Sequence, residues 1–226
     1  MSHARLLVGI LLVLLFAAPS FAQDERRAYA GVVFGVSTLS ADGRSITESP
    51  SAMISLYKPE NGPALNLFTG LHLTRFLTVQ ANYVWNRNDV ALLSSSLSPT
   101  GSGFYEQPRS SSQHSAVGDL LLYFRARGSG VRPYLSTGVA LTRFSSMQMG
   151  PAVESGLMAP AGDITATKVG LRVAVGIDFA RGPWAFRYSF SETISGNPIS
   201  GALMPQGKRG LANFQNLFGF TYAFPR

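Results

Sequence analysis

The sequence predicts an all-β fold, namely an eight-stranded antiparallel up-and-down transmembrane β-barrel preceded by a cleaved signal peptide. Three observations predict it. Apolar and polar residues alternate over eight segments, as in strands whose two faces meet different surroundings. The segments are joined alternately by short turns and by long polar connections. Beyond its first residues, the chain has no apolar run long enough for a membrane helix, although its mean hydropathy is +0.14.

The N-terminus has the organisation of a secretory signal peptide. Arg5 supplies a positive start, residues 6–18 form the apolar run, and the small residues Ser20 and Ala22 mark a cleavage site. An uncleaved anchor helix is the alternative, because the run approaches the length of a membrane span. The predicted divisions are a signal peptide at 1–22, a short segment at 23–27 and the barrel at 28–226.

Composition excludes several classes of protein. The chain has 226 residues, no cysteine, and 19 Lys and Arg against 12 Asp and Glu, which gives a net charge of +7. The absence of cysteine excludes a disulfide scaffold, a cysteine zinc site and a thiol nucleophile. A charged fraction of 14% with 46% hydrophobic residues argues against disorder. No motif for binding nucleic acid, a cofactor or a metal is present, so none of these is expected as a partner.

The alternation defines both the strands and their connections. In the clearest segment, Val169, Leu171 and Val173 alternate with residues that are small or charged. The predicted strands are Ala28–Leu39, Ala64–Leu73, Leu77–Asn88, Ala116–Arg127, Arg132–Ser145, Ile164–Ala180, Ala185–Ser195 and Leu211–Phe224. The predicted short turns are 74–76, 128–131 and 181–184, and the predicted long loops are 41–63, 89–115, 146–163 and 196–210.

Each short turn also predicts a strand register, because residues opposite each other in an antiparallel pair point to the same face. The turn 181–184 places Phe179 opposite Phe186 and Asp178 opposite Arg187. The turn 74–76 places Leu71 opposite Val79, and the turn 128–131 places Leu120 opposite Val139. Glu192 breaks the rule, because it shares the apolar face of its strand.

The apolar face is predicted to point outward, into lipid. A soluble sandwich or lipocalin-like barrel would turn that face inward instead. The polar faces carry many small residues that suit a narrow interior, and aromatic residues lie at both ends of the apolar faces, as in the girdles of a membrane barrel. The first group is Phe179, Trp184, Phe186, Tyr222 and Phe224, and the second is Tyr83, Trp85, Phe144 and Phe214.

Two stretches carry a family resemblance. They are the strand start Arg132-Pro-Tyr-Leu-Ser-Thr-Gly-Val139 and the alternating aromatic last strand, 211–224. Together with the signal peptide, they resemble the small eight-stranded outer-membrane barrels of Gram-negative bacteria, the OmpA, OmpX and OmpW-like group. The resemblance implies a monomer in the outer membrane among its lipids and lipopolysaccharide, with both termini periplasmic and the long loops outside. It also implies that the last strand is recognised by the barrel assembly machinery.

Two groups of charged residues are candidate sites. The first lies on the polar strand faces, where it forms either a paired plug or a basic constriction for anions, and the small interior of eight strands favours the plug. Its members are Asp119, Arg125, Lys168, Arg172, Asp178 and Arg187. The second lies at the short-turn end, where arginines either bind lipid phosphates or only extend to the interface. Its members are Arg75, Arg127, Arg132 and Arg181.

The sequence favours a structural or surface-interaction role through the long loops, with a narrow channel for small solutes as the alternative. A lipid-modifying enzyme ranks third. The lipid A deacylases of this size class use a His-x-Ser pair on one strand face, whereas Ser115 directly follows His114 and therefore points to the other face. His72 is expected to face the lumen and bind Thr78. No enzymatic activity and no catalytic residue are therefore predicted.

Overall fold

The structure is a computed structural model that describes residues 28–40, 45–46, 52–59, 61–98, 101–198 and 210–225. The predicted signal peptide 1–22, the segment 23–27 and Arg226 lie outside these residues, so their assignment stays a prediction. No helix in the described part of the chain is long and apolar enough to cross a membrane.

The described residues form eleven antiparallel strands, eight of which close into a ring in the order β1-β4-β5-β6-β7-β9-β10-β11. The first and last strands of the ring pair with each other. The short strands β2, β3 and β8 extend the sheet beside β5 and β6. The bounds are β1 Ala28–Ser40, β2 Ser45–Ile46, β3 Ala52–Pro59, β4 Asn61–His72, β5 Leu77–Ser98, β6 Gly101–Tyr123, β7 Val131–Gln148, β8 Val153–Ser155, β9 Ile164–Arg181, β10 Trp184–Gly196 and β11 Gly210–Ala223.

The apolar face points outward, as predicted. On β9, Val169 and Leu171 are 67% and 64% exposed, whereas the next residue, Arg172, is only 3% exposed. A soluble barrel would show the reverse pattern. Because the exposed side chains are the apolar ones, the outer surface of the ring suits lipid, and the closed ring leaves no unpaired edge there.

Two of the three predicted registers are confirmed. Asp178 pairs with Arg187, and Leu71 pairs with Val79. The register predicted about the turn 128–131 is wrong by two positions, because Leu120 pairs with Thr137 rather than with Val139. β6 ends at Tyr123, so the connection to β7 is longer than the four residues predicted.

Two of the predicted loops are largely strand. β5 and β6 run on to Ser98 and Gly101 and stay paired to their ends, so most of 89–115 is a hairpin rather than a loop. Within 41–63, β3 pairs with β5 and the start of β4 pairs with β1. The alternation of buried and exposed residues continues through β6 from Gly103 to Tyr123, although few of those side chains are large and apolar.

The aromatic girdle at the short-turn end is confirmed. Its rings contact one another, with centroid distances of 4.8 Å between Trp184 and Tyr222 and 6.3 Å between Phe179 and Phe186. At the long-loop end the placement of Phe144 is wrong, because Phe144 is 1% exposed and lies inside the barrel. Its neighbours there are Leu39, Val90, Leu92, Tyr105 and Leu211.

The closing pair of strands gives a test of the fold. At Gly35 on β1, an added Cβ would lie 2.0 Å from the backbone oxygen of Asn216 on β11. We expect Gly35→Val to destabilise the barrel by about 1–3 kcal/mol, because the new side chain must push the closing strands apart. Urea unfolding and the shift in gel migration on boiling measure this loss.

Gly118→Val is the matched control. Gly118 is exposed on β6, and nothing lies within 4 Å of the added Cβ. The control should migrate and unfold as the wild type does. Equal stability of both variants would contradict the close approach of β1 and β11.

Candidate functional site

The centre of the candidate site is an ion pair inside the barrel near the short-turn end. Arg187 on β10 donates through Nε to Asp178 Oδ1 at 2.7 Å and through Nη2 to Asp178 Oδ2 at 2.8 Å. The hydroxyl of Tyr123 donates to Asp178 Oδ2 at 2.9 Å and accepts from Arg187 Nη2 at 2.8 Å. The guanidinium is also 4.8 Å from the centroid of the Phe68 ring. Hydrogen bonds and ring contacts therefore fix this arginine at the barrel axis.

A second ion pair lies further from the short turns. Arg172 on β9 binds Asp119 on β6, and both side chains are buried. Asn82 donates to Asp119 Oδ2 at 3.0 Å and accepts from Gln80 Nε2 at 2.6 Å. Because Arg187 Nη1 donates to Gln80 Oε1 at 2.8 Å, one continuous network joins the two ion pairs. The polar faces of β5, β6, β9 and β10 thus form a bonded core in place of an apolar one.

Amide side chains continue this filling toward the long-loop end. Gln215 donates to Asn86 at 2.7 Å, and Asn213 donates to Gln113 at 2.7 Å. One void among these amides and one beside the two ion pairs each measure about 10 Å³, the space of roughly one water molecule. Above them lies the apolar cluster around Phe144 and Leu92. The described interior is therefore filled along most of its length.

Sequence reasoning missed Arg109, which is 0% exposed beside that cluster. Its Nε donates to Ser146 Oγ at 3.0 Å, its Nη1 to Gln107 Oε1 at 2.7 Å, and its Nη2 to the carbonyl oxygens of Ser146 and Gly162 at 2.8 and 2.6 Å. It fell within the predicted loop 89–115. The alternation of Gln107, Arg109 and Ser111 with exposed or half-buried residues is the signal that identifies it as inward-facing.

Two of the six predicted lumen charges do not belong to the network. Arg125 is exposed in the connection after β6, because β6 ends two residues before it. Lys168 is exposed on β9, and its Cδ lies near Gly196 at the end of β10. Both predictions are wrong, since each of these side chains is exposed rather than buried in the network. The other four residues form the two ion pairs.

The barrel is open at its short-turn end, where a cavity of about 1060 Å³ begins below Arg187. Its described walls come from β1, β4, β6, β7, β9, β10, β11 and their turns. The charged and aromatic lining residues are Tyr29, His72, Tyr123, Arg127, Arg132, Asp178, Trp184 and Arg187. We call this cavity the vestibule.

The four predicted rim arginines separate into two groups. Arg75 and Arg181 are exposed, as a lipid contact requires. Arg127 lines the vestibule and donates to the carbonyl of Thr74 at 3.0 Å. Arg132 is 7% exposed and lies inside the barrel, 3.8 Å from the centroid of the Tyr123 ring. It therefore does not lie on the outer surface of the barrel beside the bilayer, because its strand position points inward.

The two histidines among the described residues lie on opposite sides of the wall. His72 Nδ1 is 2.6 Å from Thr78 Oγ1, which confirms the expected contact. His114 is exposed on the outer face, with Nδ1 2.7 Å from the hydroxyl of Tyr83. Ser115 points inward and bonds Thr142 at 2.7 Å, so His114 and Ser115 lie on different faces. No group of His, Cys, Asp and Glu among the described residues could hold a metal ion.

Comparison with solved structures finds the same fold. Neisserial surface protein A superposes with a TM-score of 0.55 at 15% identity, covering 89% of this chain and 100% of that one. The outer membrane protein OprG from Pseudomonas aeruginosa superposes with a TM-score of 0.52 at 14% identity, covering 89% and 98%. None of the curated proteins matches the sequence significantly.

The sequence itself matches the family described as outer membrane protein beta-barrel domain over residues 8–224. This match covers nearly the whole chain, and the closed eight-stranded ring with its apolar outer face agrees with it. The chain therefore belongs to the outer membrane protein beta-barrel domain family, as a β-barrel of the Gram-negative outer membrane.

Proposed function

We propose that this protein is a closed barrel whose role is structural or surface interaction, carried by the strands that extend beyond the membrane. The observation that carries the proposal is the β5–β6 hairpin, which stays paired out to Ser98 and Gly101. In barrels of this kind, the short turns face the periplasm and the long-loop end faces outward. The hairpin therefore extends on the cell exterior.

The outer face marks where the hairpin leaves the membrane. Leu141 and Val169 are paired, exposed apolar residues on the outer face. Two positions further toward the long loops, the pair on the same face is polar, namely Arg143 with Thr167. His114 lies at that level on β6, opposite Arg143. Beyond it, β6 extends back to Gly101, a distance of about 40 Å along the strand. This length lifts the hairpin tip well clear of the lipid surface.

The exterior part also exposes large apolar side chains. Leu97, Phe104 and Val153 are 66%, 45% and 60% exposed, and Met149 is 55% exposed. All lie at or beyond the ends of the membrane-embedded strands. Apolar patches exposed to water are typical of surfaces that contact a partner, and we propose that these side chains form one. Neisserial surface protein A, which has the same fold, is a surface protein by its name.

The filled lumen supports a closed barrel rather than a channel. Two ion pairs and the amides between them occupy the axis, and the apolar cluster follows above. Passage of small solutes remains the second candidate function, because the vestibule opens the short-turn end of the barrel. We propose no enzymatic activity, since His114 and Ser115 lie on different faces of the wall.

The proposed partners follow from the location of the protein in the outer membrane. We propose that it is a monomer, that lipopolysaccharide surrounds its outer half, and that the assembly machinery recognises β11. The outward aromatic residues of that strand, Phe218, Phe220 and Phe224, support the last point.

The closed lumen predicts that the protein does not conduct ions. We expect the purified protein in planar bilayers to show no large steady conductance, because the axis is blocked by bonded side chains. Large, stable, anion-selective steps would overturn the closed barrel and support the channel.

The ion pairs predict a second result. Asp178→Asn leaves the Arg187 charge buried without its counter-ion and should lower the free energy of unfolding by about 3–5 kcal/mol. Glu192→Gln is the control, since it makes the same kind of change at an outward, half-buried position on β10. Urea unfolding in micelles compares them, and equal effects would show that the ion pair does not stabilise the barrel.

The exposed apolar residues predict a surface effect. Replacing Leu97, Phe104, Met149 and Val153 together by Ser should reduce adhesion of bacteria carrying the protein to cultured cells or matrix-coated plates about tenfold. The charge-removing variant Asp89→Asn with Glu106→Gln, in the same hairpin, is the control. Unchanged adhesion, or an equal loss in the control, would argue against these side chains as the contact surface.

A further inference from the structure

The vestibule contains an arginine that the filled lumen does not use. Arg132 on β7 lines the cavity and is more than nine-tenths buried. Its Nε and Nη2 atoms have no hydrogen-bond partner among the described residues. The guanidinium carbon lies 3.8 Å from the centroid of the Tyr123 ring, a contact that gives these donors no acceptor. A buried charge with unpaired donors is costly, so the site favours a ligand that would pair them.

The unpaired atoms are the two that form one edge of the guanidinium fork. Arg187, in the same barrel end, uses this same pair of atoms to bind both oxygens of Asp178, at 2.7 and 2.8 Å. Arg132 lies opposite Asp178 in the strand register, but that carboxylate is already bound by Arg187 and Tyr123. Arg132 therefore has the same recognition edge without an acid to fill it.

The rest of the vestibule is also suited to an anion. Three arginines and one carboxylate line its described walls, and the carboxylate belongs to the ion pair. The volume of about 1060 Å³ is ample for a small solute. Phosphate and carboxylate groups match a guanidinium edge through two parallel hydrogen bonds.

We propose that the vestibule is a binding site for a phosphate or carboxylate group on the periplasmic side, with Arg132 as its main ligand and Arg127 beside it. The anion pairs with Nε and Nη2 after the side-chain torsions turn this edge toward the cavity. The source is either a periplasmic solute or the headgroup of an inner-leaflet lipid that enters the mouth. The site requires no open channel, so it does not depend on the proposed function.

Titration with inorganic phosphate tests the site. The ¹⁵N-labelled barrel is refolded in dodecyl maltoside, which contains no phosphate, and the Arg132 Nε–Hε resonance is followed by NMR. We expect a saturable shift in the wild type. Arg132→Gln should weaken the binding at least tenfold, as read from the backbone amides of the turn 128–130.

Arg181→Gln is the matched control, because Arg181 is exposed at the same barrel end and does not line the vestibule. It removes the same charge and should leave the affinity unchanged. Gel migration before and after boiling shows that each variant is folded. If Arg132→Gln fails to fold, Arg132→Lys serves instead, which keeps the charge, removes the planar edge and should still weaken binding.

Nanodiscs distinguish the two sources. If a lipid headgroup fills the site, the Arg132 resonance is already shifted in phosphatidylglycerol discs relative to detergent, and added phosphate has little further effect. If a solute is the ligand, phosphate shifts the resonance in the discs as it does in detergent. Absence of a saturable shift under all conditions, or an equal loss in Arg181→Gln, would overturn the proposal.

Discussion

A backbone N–H or C=O group in the hydrocarbon core of the bilayer has no water to bind. Each strand that crosses the membrane therefore needs a neighbouring strand on both sides. The pairing of β1 with β11, from Tyr29–Ala223 to Ser40–Ala212, meets that need for the two strands that would otherwise form edges. Gly35 permits their close approach. Every other feature of the molecule depends on this closure, because only a closed ring has an inside.

Closure at eight strands leaves an interior that side chains can fill. Lipid occupies the outside, so the inward face must carry the polar residues, and those residues must bind one another. Asp178 with Arg187 and Asp119 with Arg172 do so, linked through Gln80 and Asn82. The polar network therefore takes the place that an apolar core has in a soluble protein. Among the described residues, the large cavity lies at the short-turn end.

The two ends of the barrel consequently differ. Toward the long loops, the filling changes from amides to the apolar cluster around Phe144, and Arg109 is tied to carbonyl and side-chain oxygens there. Toward the short turns, Arg132 has the same inward orientation but no acid to bind. The basic vestibule is thus a consequence of how the lumen is filled.

The sequence by itself determined the ring of eight strands, the outward face and two registers, because alternation and short turns are local properties that a chain carries wherever it folds. One of these registers places Asp178 opposite Arg187, since a tight turn fixes that pair. It could not determine where a strand ends when the alternating residues are small and polar. The β5–β6 hairpin and the register at Leu120 were therefore missed. Only the tertiary structure decided that Arg132 has no acid to bind, because the carboxylate of Asp178 opposite it is taken by Arg187 and Tyr123 from two other strands.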